Sequence, residues 1–536
     1  MEIPARRSVV TDETVTFAVS VIDSCDEVAR AEERLGHRLG RRRSLSVRAL
    51  MVALFVLGID DRPLLLTEAT RLLYSGLSEH WREELGVTGG TETDKQFAAR
   101  YRCVRYLFHA MTAAMDPSVE AKNRVMPIQK HAKLRKSLSC DEVAGREAAL
   151  ARFVSSLIES SVRVCDDSEL EGFDGSLGLD ATPVPLWSRG PSGRRGLSAS
   201  DPDGGWYVRE GDHRDHEGPD GRKRAKVFFA LEATLAVMGQ VQSGDPSHPN
   251  LVLAMSLDRP GADPGGSAVA LLFDIKARGW RQGLLAADRG YSQVRPEKFH
   301  LPVRALGYSV VIDYKSTELG RQGESGGALM VDGAFYCPAM PEALVNAGSD
   351  YRSGRISERT HDARIAARDR WRLKRKQGPD THGYERYSCP ALAPNSGLSC
   401  PLRPSSAGLA RIPVASPPKL APKICTQSAV TIAPDIGARF RQDLPYGSER
   451  WRSAYATWRN TIEGTNGYLK DTAHESLAAP GRRRVRGKAA QSVLCALLVM
   501  AGNIRKIQAF RSRRRAGEGV NATRRRTSLS DYHPRA

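Results

Sequence analysis

The chain has 536 residues with 41% apolar and 7% aromatic content, which favours a soluble globular protein of several domains over a disordered chain. Its 80 Lys and Arg residues against 61 Asp and Glu residues give a formal net charge of +19, which favours a polyanionic partner such as nucleic acid. No uninterrupted apolar run reaches the roughly 18 residues of a membrane span, and no secretory signal core follows the first residues. We therefore expect a cytoplasmic protein whose nine cysteines are reduced or metal-bound.

Residues 1–165 are predicted to form a mostly helical domain. Capping residues, stop signals and apolar periodicity predict four helices: from Ser44 or Ser46 to Leu57, from Thr67 to Gly76, from Gln96 to Met115 and from Cys140 to Val162. Basic residues cluster around the start of the first helix, at Arg38, Arg41, Arg42, Arg43 and Arg48. Short helices with a basic approach favour a DNA-binding module, for example a helix-turn-helix. The alternative is an ordinary helical bundle with a solvated basic face.

Residues 172–315 change to a strand-like pattern. Five strands are predicted, at Leu177–Trp187, Val227–Val237, Leu251–Leu257, Leu284–Asp288 and Tyr308–Asp313, with a helix at Gly266–Arg278. The polar, glycine-rich stretch 188–220 is predicted to be a long loop or an extended hairpin. This order predicts an α+β or α/β domain, in which helices flank a mixed sheet.

Two acids interrupt the apolar strands. Asp180 lies within the first predicted strand, and Asp288 ends the fourth. Burying a carboxylate is costly unless it is paired or bound to a metal ion. A single acid of this kind is usually a capped turn, but two of them raise the possibility of a metal site.

A third acid, Glu463, lies among bases near the C-terminal end of the chain. On a helix, Arg459, Glu463, Asn466 and Lys470 share one stripe, because they are spaced by four, three and four residues. A carboxylate among cations and amides suits a metal site that also binds phosphate. The alternative is a solvated helix face with one ion pair.

These motifs together resemble a known family. The DxTP motif at Asp180, the DxGY motif at Asp288 and the R-x3-E-x6-K motif at Glu463 are similar to those of bacterial insertion-sequence transposases of the DDE type. The resemblance covers roughly residues 172–510, with a poorly matched middle. One feature departs from related families with a Tyr-Arg-Glu-Lys signature: three residues separate Tyr455 from Arg459, where those families have two.

The resemblance implies an RNase H-like catalytic domain made of residues 172–315 and 446–510, with its first and fourth strands side by side. It implies that Asp180, Asp288 and Glu463 are catalytic residues that hold two Mg²⁺ or Mn²⁺ ions. It also implies that the residues binding DNA or phosphate are Arg459, Asn466, Lys470, Tyr455 and Arg289. The implied partners are double-stranded transposon ends and target DNA, with self-association on the DNA and a nucleoid-associated location.

The implied reaction has two steps. Water first attacks at the transposon end, and the freed 3′-hydroxyl then attacks the target. Taken alone, the residues argue only for metal-assisted phosphodiester cleavage. Two other functions stay open at this point: a catalytically inactive, domesticated DNA-binding relative, and an RNase H-like nuclease without strand transfer.

Residues 316–445 are predicted to be an insertion subdomain rich in Pro, Gly and Ser. It contains Cys337, Cys389, Cys400 and Cys425, whose thiolates could form a structural zinc site. No CxxC pair is present and the spacing is irregular, so free or buried thiols are the favoured interpretation. The basic segment Arg364–Lys376 is predicted to be a helix or arm against DNA phosphates, with a solvated surface helix as the alternative.

The chain after Lys470 is predicted to contain a basic run at Arg482–Lys488 and then an apolar helix from about Ala489 to Ile504. We expect that helix to pack on the sheet and to help position the Glu463 helix. Residues 511–536 are predicted to be a disordered basic tail that binds nucleic acid weakly.

Overall fold

The computed structural model describes residues 10–36, 43–118, 125–191, 196–209, 226–240, 246–393, 397–407 and 411–516. The N-terminal part is helical. Its helices are α1 (Asp12–Asp23), α2 (Asp26–Gly36), α3 (Val47–Ile59), α4 (Leu66–Arg71), α5 (Glu79–Glu84), α6 (Asp94–Ala113), α7 (Ile128–Arg135), α8 (Cys140–Val162) and α9 (Asp167–Leu170). A π-helical turn, Leu72–Gly76, continues α4.

The four helices predicted in this region are confirmed, and their caps explain where they begin. Ser46 Oγ accepts a hydrogen bond from the Ala49 N–H at 3.1 Å, which starts α3. Capping boxes start α6 at Thr93 and α8 at Ser139. Helices α1, α2, α5, α7 and α9 were not predicted.

The basic approach to α3 is described only in part, because Arg38, Arg41 and Arg42 lie outside the described residues. Arg48 Nε lies 2.7 Å from Asp23 Oδ1 on α1, and Arg43 Nη2 lies 3.4 Å from Glu32 Oε1 on α2. These two charges are therefore balanced locally. Binding of DNA by residues 1–165 stays a prediction.

A six-stranded mixed sheet follows. Its strands are β1 (Leu177–Pro185), β2 (Gly205–Arg209), β3 (Lys226–Met238), β4 (Val252–Asp258), β5 (Leu284–Ala287) and β6 (Ser309–Val311). The order is β4-β3-β1-β5-β6, with β2 beside the first half of β3. Strands β1, β5 and β6 run parallel, whereas β3 is antiparallel to β1, β2 and β4.

The five predicted strands are confirmed, and the first and fourth of them, β1 and β5, are adjacent as expected. The described part of the stretch 188–220 contributes β2, which pairs antiparallel with β3. Three helices follow the strands β4 and β5: α10 (Pro264–Ala277), α11 (Arg289–Ser292) and α12 (His300–Leu306). The fold is therefore mixed α/β, as predicted at that level.

Two long helices complete this part of the fold: α17 (Glu449–Lys470) and α18 (Lys488–Ala516). Helix α17 packs on β1 and β5, and α18 packs on α8, α3 and β4. The Asn503 side chain on α18 bonds to both the N–H and the C=O of Val252 at 3.0 Å. One continuous apolar core therefore joins the N-terminal helices, the sheet and α18.

Helix α18 is apolar, as predicted, but longer than predicted. It continues to Ala516, so the first residues of the predicted tail are helical, and Arg511 pairs with Glu169 at 2.8 Å. Residues 517–536 lie outside the described residues. By length and composition α18 could span a membrane, but 78% of its most apolar window is buried inside the protein. Its apolar faces are therefore covered by the core just described.

The insertion forms small sheets with an apolar core of their own. Its strands are β7 (Arg321–Ser325), β8 (Ala328–Val331), β9 (Ala334–Tyr336), β10 (Lys374–Gln377), β11 (Glu385–Ser388), β12 (Leu398–Ser399), β13 (Ile412–Pro413) and β14 (Val430–Ile432). Its helices are α13 (Glu342–Val345), α14 (Ala347–Arg352), α15 (Glu358–Arg368) and α16 (Lys423–Thr426). The sheets are β7-β8-β9, β10-β11-β14 and β12-β13.

The segment Arg364–Lys376 is not a separate arm. It comprises the end of α15, a 3-10 turn and most of β10. Arg368 is buried and lies 2.7 Å from buried Asp332, and Trp371 is buried in the core of the insertion. The segment is therefore part of the folded insertion. Asp332 offsets the buried charge of Arg368, which would be strongly destabilising without a partner. Four bases of the segment are exposed, Arg370, Lys374, Arg375 and Lys376, and Arg375 pairs with Glu385 at 3.3 Å.

Candidate active site

Asp180 is placed by β1 and by the helix that packs on it. Its Oδ1 accepts from the Ala181 N–H at 2.8 Å, and its Oδ2 accepts from Asn466 Nδ2 on α17 at 2.8 Å. Gly178, two residues before Asp180 on β1, also faces α17, where an added Cβ atom would lie 3.4 Å from Ile462 Cβ, at ordinary contact distance.

Asp288 lies at the end of β5, beside Asp180. The parallel register pairs Leu179 with Ala287, so each acid directly follows one member of that pair. Asp288 is exposed and caps α11, because its Oδ1 accepts from the Arg289 N–H at 2.7 Å. Asp288 is therefore both the cap of a turn and a neighbour of Asp180.

Glu463 lies on α17, which begins at the cap residue Ser448. Arg459 Nε donates to Glu463 Oε1 at 2.7 Å, and the two side chains are 36% and 55% exposed. The expected i, i+4 ion pair is therefore present, and both of its members also face the cleft that contains Asp180.

The three acids line one cleft of about 510 Å³. The predicted stripe of α17 forms one wall, and β1, β2 and the end of β5 form the rest. The predicted site residues among its lining are Asp180, Asp288, Glu463, Arg459, Asn466, Lys470 and Tyr455. Two bases thus lie at the same cleft as three carboxylates, although more than a hundred residues separate each acid from the next.

The carboxyl of Asp180 is affected by burial and by the charges around the cleft. Burial raises the pKa of its carboxyl from the ordinary value of 3.8 to about 6. Its hydrogen bond with the Ala181 N–H lowers the pKa, the nearby Asp288 and Glu463 raise it, and Lys470 lowers it. A cation bound between the acids would relieve this repulsion.

The donor set fits a hard divalent cation. Carboxylate and amide oxygens suit Mg²⁺ or Mn²⁺ rather than Zn²⁺. Asn466 Oδ1 is buried and has no hydrogen-bond partner within the part of the chain that the structure describes. It is thus an acceptor oxygen beside Asp180 that a cation or its water could use.

The acids are held by protein donors as the side chains stand. Among the described residues, no group of three or more His, Cys, Asp and Glu could hold a metal ion without movement. Asp180 bonds to Asn466, and Glu463 to Arg459. The expectation that Asp288 is buried at the end of its strand is wrong, because Asp288 is exposed, as Glu463 is.

Arg289 and Tyr455 are placed differently from the other predicted phosphate ligands. Arg289 Nε lies 3.9 Å from Asp313 Oδ2, and the residue is not among those that line the cleft in the described part of the chain. Tyr455 is only 3% exposed, and its ring stacks on Trp451 with centroids 5.0 Å apart. Its ring serves chiefly to pack α17 onto the sheet.

Sequence reasoning missed Tyr207, which lines the cleft from β2. The signal was present as an aromatic, alternating run, Gly205-Trp206-Tyr207-Val208, directly after a turn-like stretch. The long glycine-rich context favoured a loop over a strand.

Comparison of the chain with family models, curated proteins and solved structures found no match. The chemistry of the cleft therefore carries the functional inference.

Proposed function

We propose that this protein is a metal-dependent DNA transposase of the DDE type, which cuts transposon ends and joins them to target DNA. The observation that carries the proposal is the meeting of Asp180, Asp288 and Glu463 in one cleft with Arg459 and Lys470. Three acids with two bases suit a site that binds cations and phosphate at once.

The sheet supports the same proposal. Strand order β4-β3-β1-β5-β6, with β1, β5 and β6 parallel, is the order expected for an RNase H-like core. Two of the acids lie on its adjacent central strands and the third on the helix packed against them. A fold supports many chemistries, so the acids and not the sheet argue for the reaction.

The protein's own residues have separate tasks in this proposal. Two divalent cations, when bound, would activate the attacking oxygen and stabilise the leaving one. Asp180, Asp288 and Glu463 would hold them, and Asn466 keeps the Asp180 carboxylate oriented toward α17. A DNA phosphate would compete with Glu463 for Arg459, so substrate binding would free the third acid for the metal.

The net charge of +19 suits a DNA partner and a cytoplasmic, nucleoid-associated protein. Joining two ends to one target also requires self-association on the DNA, as the family resemblance implies.

The experiment that tests the function is a cleavage and joining assay with the DNA that flanks the gene. Purified protein, labelled flanking duplex and plasmid target are incubated with Mg²⁺. We expect cut ends first and covalently joined ends later. Cutting without joining would indicate a nuclease. The absence of both cut and joined DNA would contradict the proposal.

Three exposed bases of the segment Arg364–Lys376 give a prediction about DNA binding. Replacing Arg370, Lys374 and Lys376 with Ala should weaken end binding and flatten its salt dependence, because each phosphate contact contributes about 0.9 to the log–log slope. We therefore expect the slope to fall by about 2 to 3 if all three contact phosphates. The measurement is fluorescence anisotropy across a salt series.

The matched control keeps the charges, with Arg370→Lys, Lys374→Arg and Lys376→Arg in one protein. It should bind like the wild-type protein. An unchanged slope in the alanine variant would show that this face of β10 is only a solvated surface.

A further inference from the structure

Four cysteines of the insertion come together although they are far apart in the sequence. Cys337 follows β9, Cys389 follows β11, Cys400 follows β12, and Cys425 lies in α16. All four are free and buried, with exposed fractions of 4–8%. They belong to one apolar core that contains no other cysteine among the described residues.

Three of these cysteines share one local geometry. Each is followed by Pro and opens a tight turn in which its C=O accepts from the N–H three residues later. The acceptors and donors are Cys337 with Met340 at 3.0 Å, Cys389 with Leu392 at 3.1 Å and Cys400 with Arg403 at 2.8 Å. Proline favours such turns because its φ angle is already set. The repeat is a structural regularity that the irregular spacing concealed.

The backbone of the turns also acts on the thiols. Burial raises the pKa of Cys337 and of Cys389, and hydrogen bonding by the backbone of Ala339 and of Ala391 lowers it. Hydrogen bonds of this kind favour a thiolate over a thiol. A cysteine that only fills apolar space has no need of them.

The thiols also affect one another. Burial, together with the three other cysteines, raises the pKa of Cys337 to about 12. Burial, together with Cys389 and Cys400, raises the pKa of Cys425 to about 11. Four ionised sulfurs close enough to affect one another would repel strongly without a cation. The arrangement thus favours either four neutral thiols or four thiolates around a metal ion.

We propose that Cys337, Cys389, Cys400 and Cys425 bind one structural Zn²⁺ ion as a tetrathiolate site. Zinc suits four sulfur ligands in a tetrahedron, with bonds of about 2.3 Å. Binding replaces four S–H bonds with four Zn–S bonds and releases four protons to solvent, with no redox change. The sulfurs must turn inward to close the site, because as they stand no such group in the described residues could hold a metal ion.

The zinc ion would link four segments of the insertion whose strands and helices are short. Strand β12 has 2 residues, β9 has 3, and α16 has 4. Short elements of this kind contribute little stability alone. A bound metal ion would therefore supply much of the folding free energy of the insertion.

The test is a metal count on the full-length protein, purified under reducing conditions from zinc-containing medium. Elemental analysis should find about one Zn²⁺ per chain. Cys389→Ser should lower the zinc content at least about tenfold, because a three-sulfur site binds far more weakly. Cys140→Ser, which changes an exposed cysteine on α8, should keep the full content.

A measurement on the wild-type protein covers the case in which Cys389→Ser fails to fold. Exchange of the bound metal for Co²⁺ should give the intense visible absorption of a tetrahedral thiolate complex. Wild-type protein with no zinc and four reduced thiols would overturn the proposal, as would two disulfides found by mass spectrometry. The zinc count needs no DNA, so it can succeed or fail independently of the transposase assay.

Discussion

Glu463→Gln is expected to lower DNA cleavage in Mg²⁺ by about a thousandfold or more, a loss of roughly 4 kcal/mol in transition-state stabilisation. Glutamine keeps the size of the side chain and an oxygen that can accept from Arg459, but it removes one negative charge from the cleft. DNA binding should survive, because an acid is lost from a surface that meets phosphates. The measurement is single-turnover cleavage of a labelled transposon end.

If Glu463 only forms an ion pair with Arg459, the substitution should change cleavage far less. Glu463 and Arg459 form an exposed i, i+4 pair on α17, and such pairs are worth about 0.3–0.5 kcal/mol. Glu449→Gln is the matched control, because Glu449 is an exposed acid on the same helix, away from the cleft. Cleavage by a folded Glu463→Gln protein within tenfold of the control would exclude Glu463 as the third acid.

Asp180→Asn is expected to abolish cleavage and yet to stabilise the protein at neutral pH when divalent cations are absent. The pKa of Asp180 is about 6 in the folded protein and near 3.8 for an ordinary carboxyl. Each pKa unit corresponds to about 1.4 kcal/mol, so the ionised carboxylate costs up to about 3 kcal/mol above pH 6. Asparagine removes that cost.

The pH dependence has a definite sign. The folded protein binds the Asp180 proton more tightly than the unfolded chain, so wild-type stability falls as pH rises from about 4 to about 6. The advantage of the Asn variant should therefore be absent near pH 4 and fully developed above pH 6. Rotation of the Asn466 amide would let its unpaired Oδ1 accept from the new side chain.

Thermal unfolding of both proteins from pH 4 to pH 8, with a chelator present, measures this difference. Added Mg²⁺ should then stabilise the wild-type protein and not the variant. A constant difference across the pH range, or destabilisation by Asn at pH 8, would show that the pKa of Asp180 is not raised in the folded protein.

The sequence was informative where local pattern determines structure. Apolar runs located the five main strands, and Ser46, one of the two predicted starts of α3, is the cap that the structure confirms. The spacing of Arg459, Glu463 and Asn466 required one helix face, and that face lines the cleft. These features depend on periods of two or 3.6 residues, which a single sequence displays.

The sequence was uninformative where distant segments meet. Arg368 appeared to be one of several DNA-facing bases, but it pairs with Asp332 in the interior. The cysteines showed no metal-binding spacing, yet four separate segments bring them together. The register that sets Asp288 beside Asp180 likewise follows from pairing of β1 with β5. Such long-range pairings leave no local periodicity to read.

Counting bound Mn²⁺ tests most directly whether the three acids form one metal site. Electron paramagnetic resonance measures free Mn²⁺ in a titration of zinc-loaded, DNA-free protein, with Glu449→Gln as the control. The wild-type protein and the control should bind about two Mn²⁺ ions per chain, and Asp180→Asn and Glu463→Gln should each lose at least one. Equal Mn²⁺ binding by all four proteins, or none by the wild-type protein, would contradict the account.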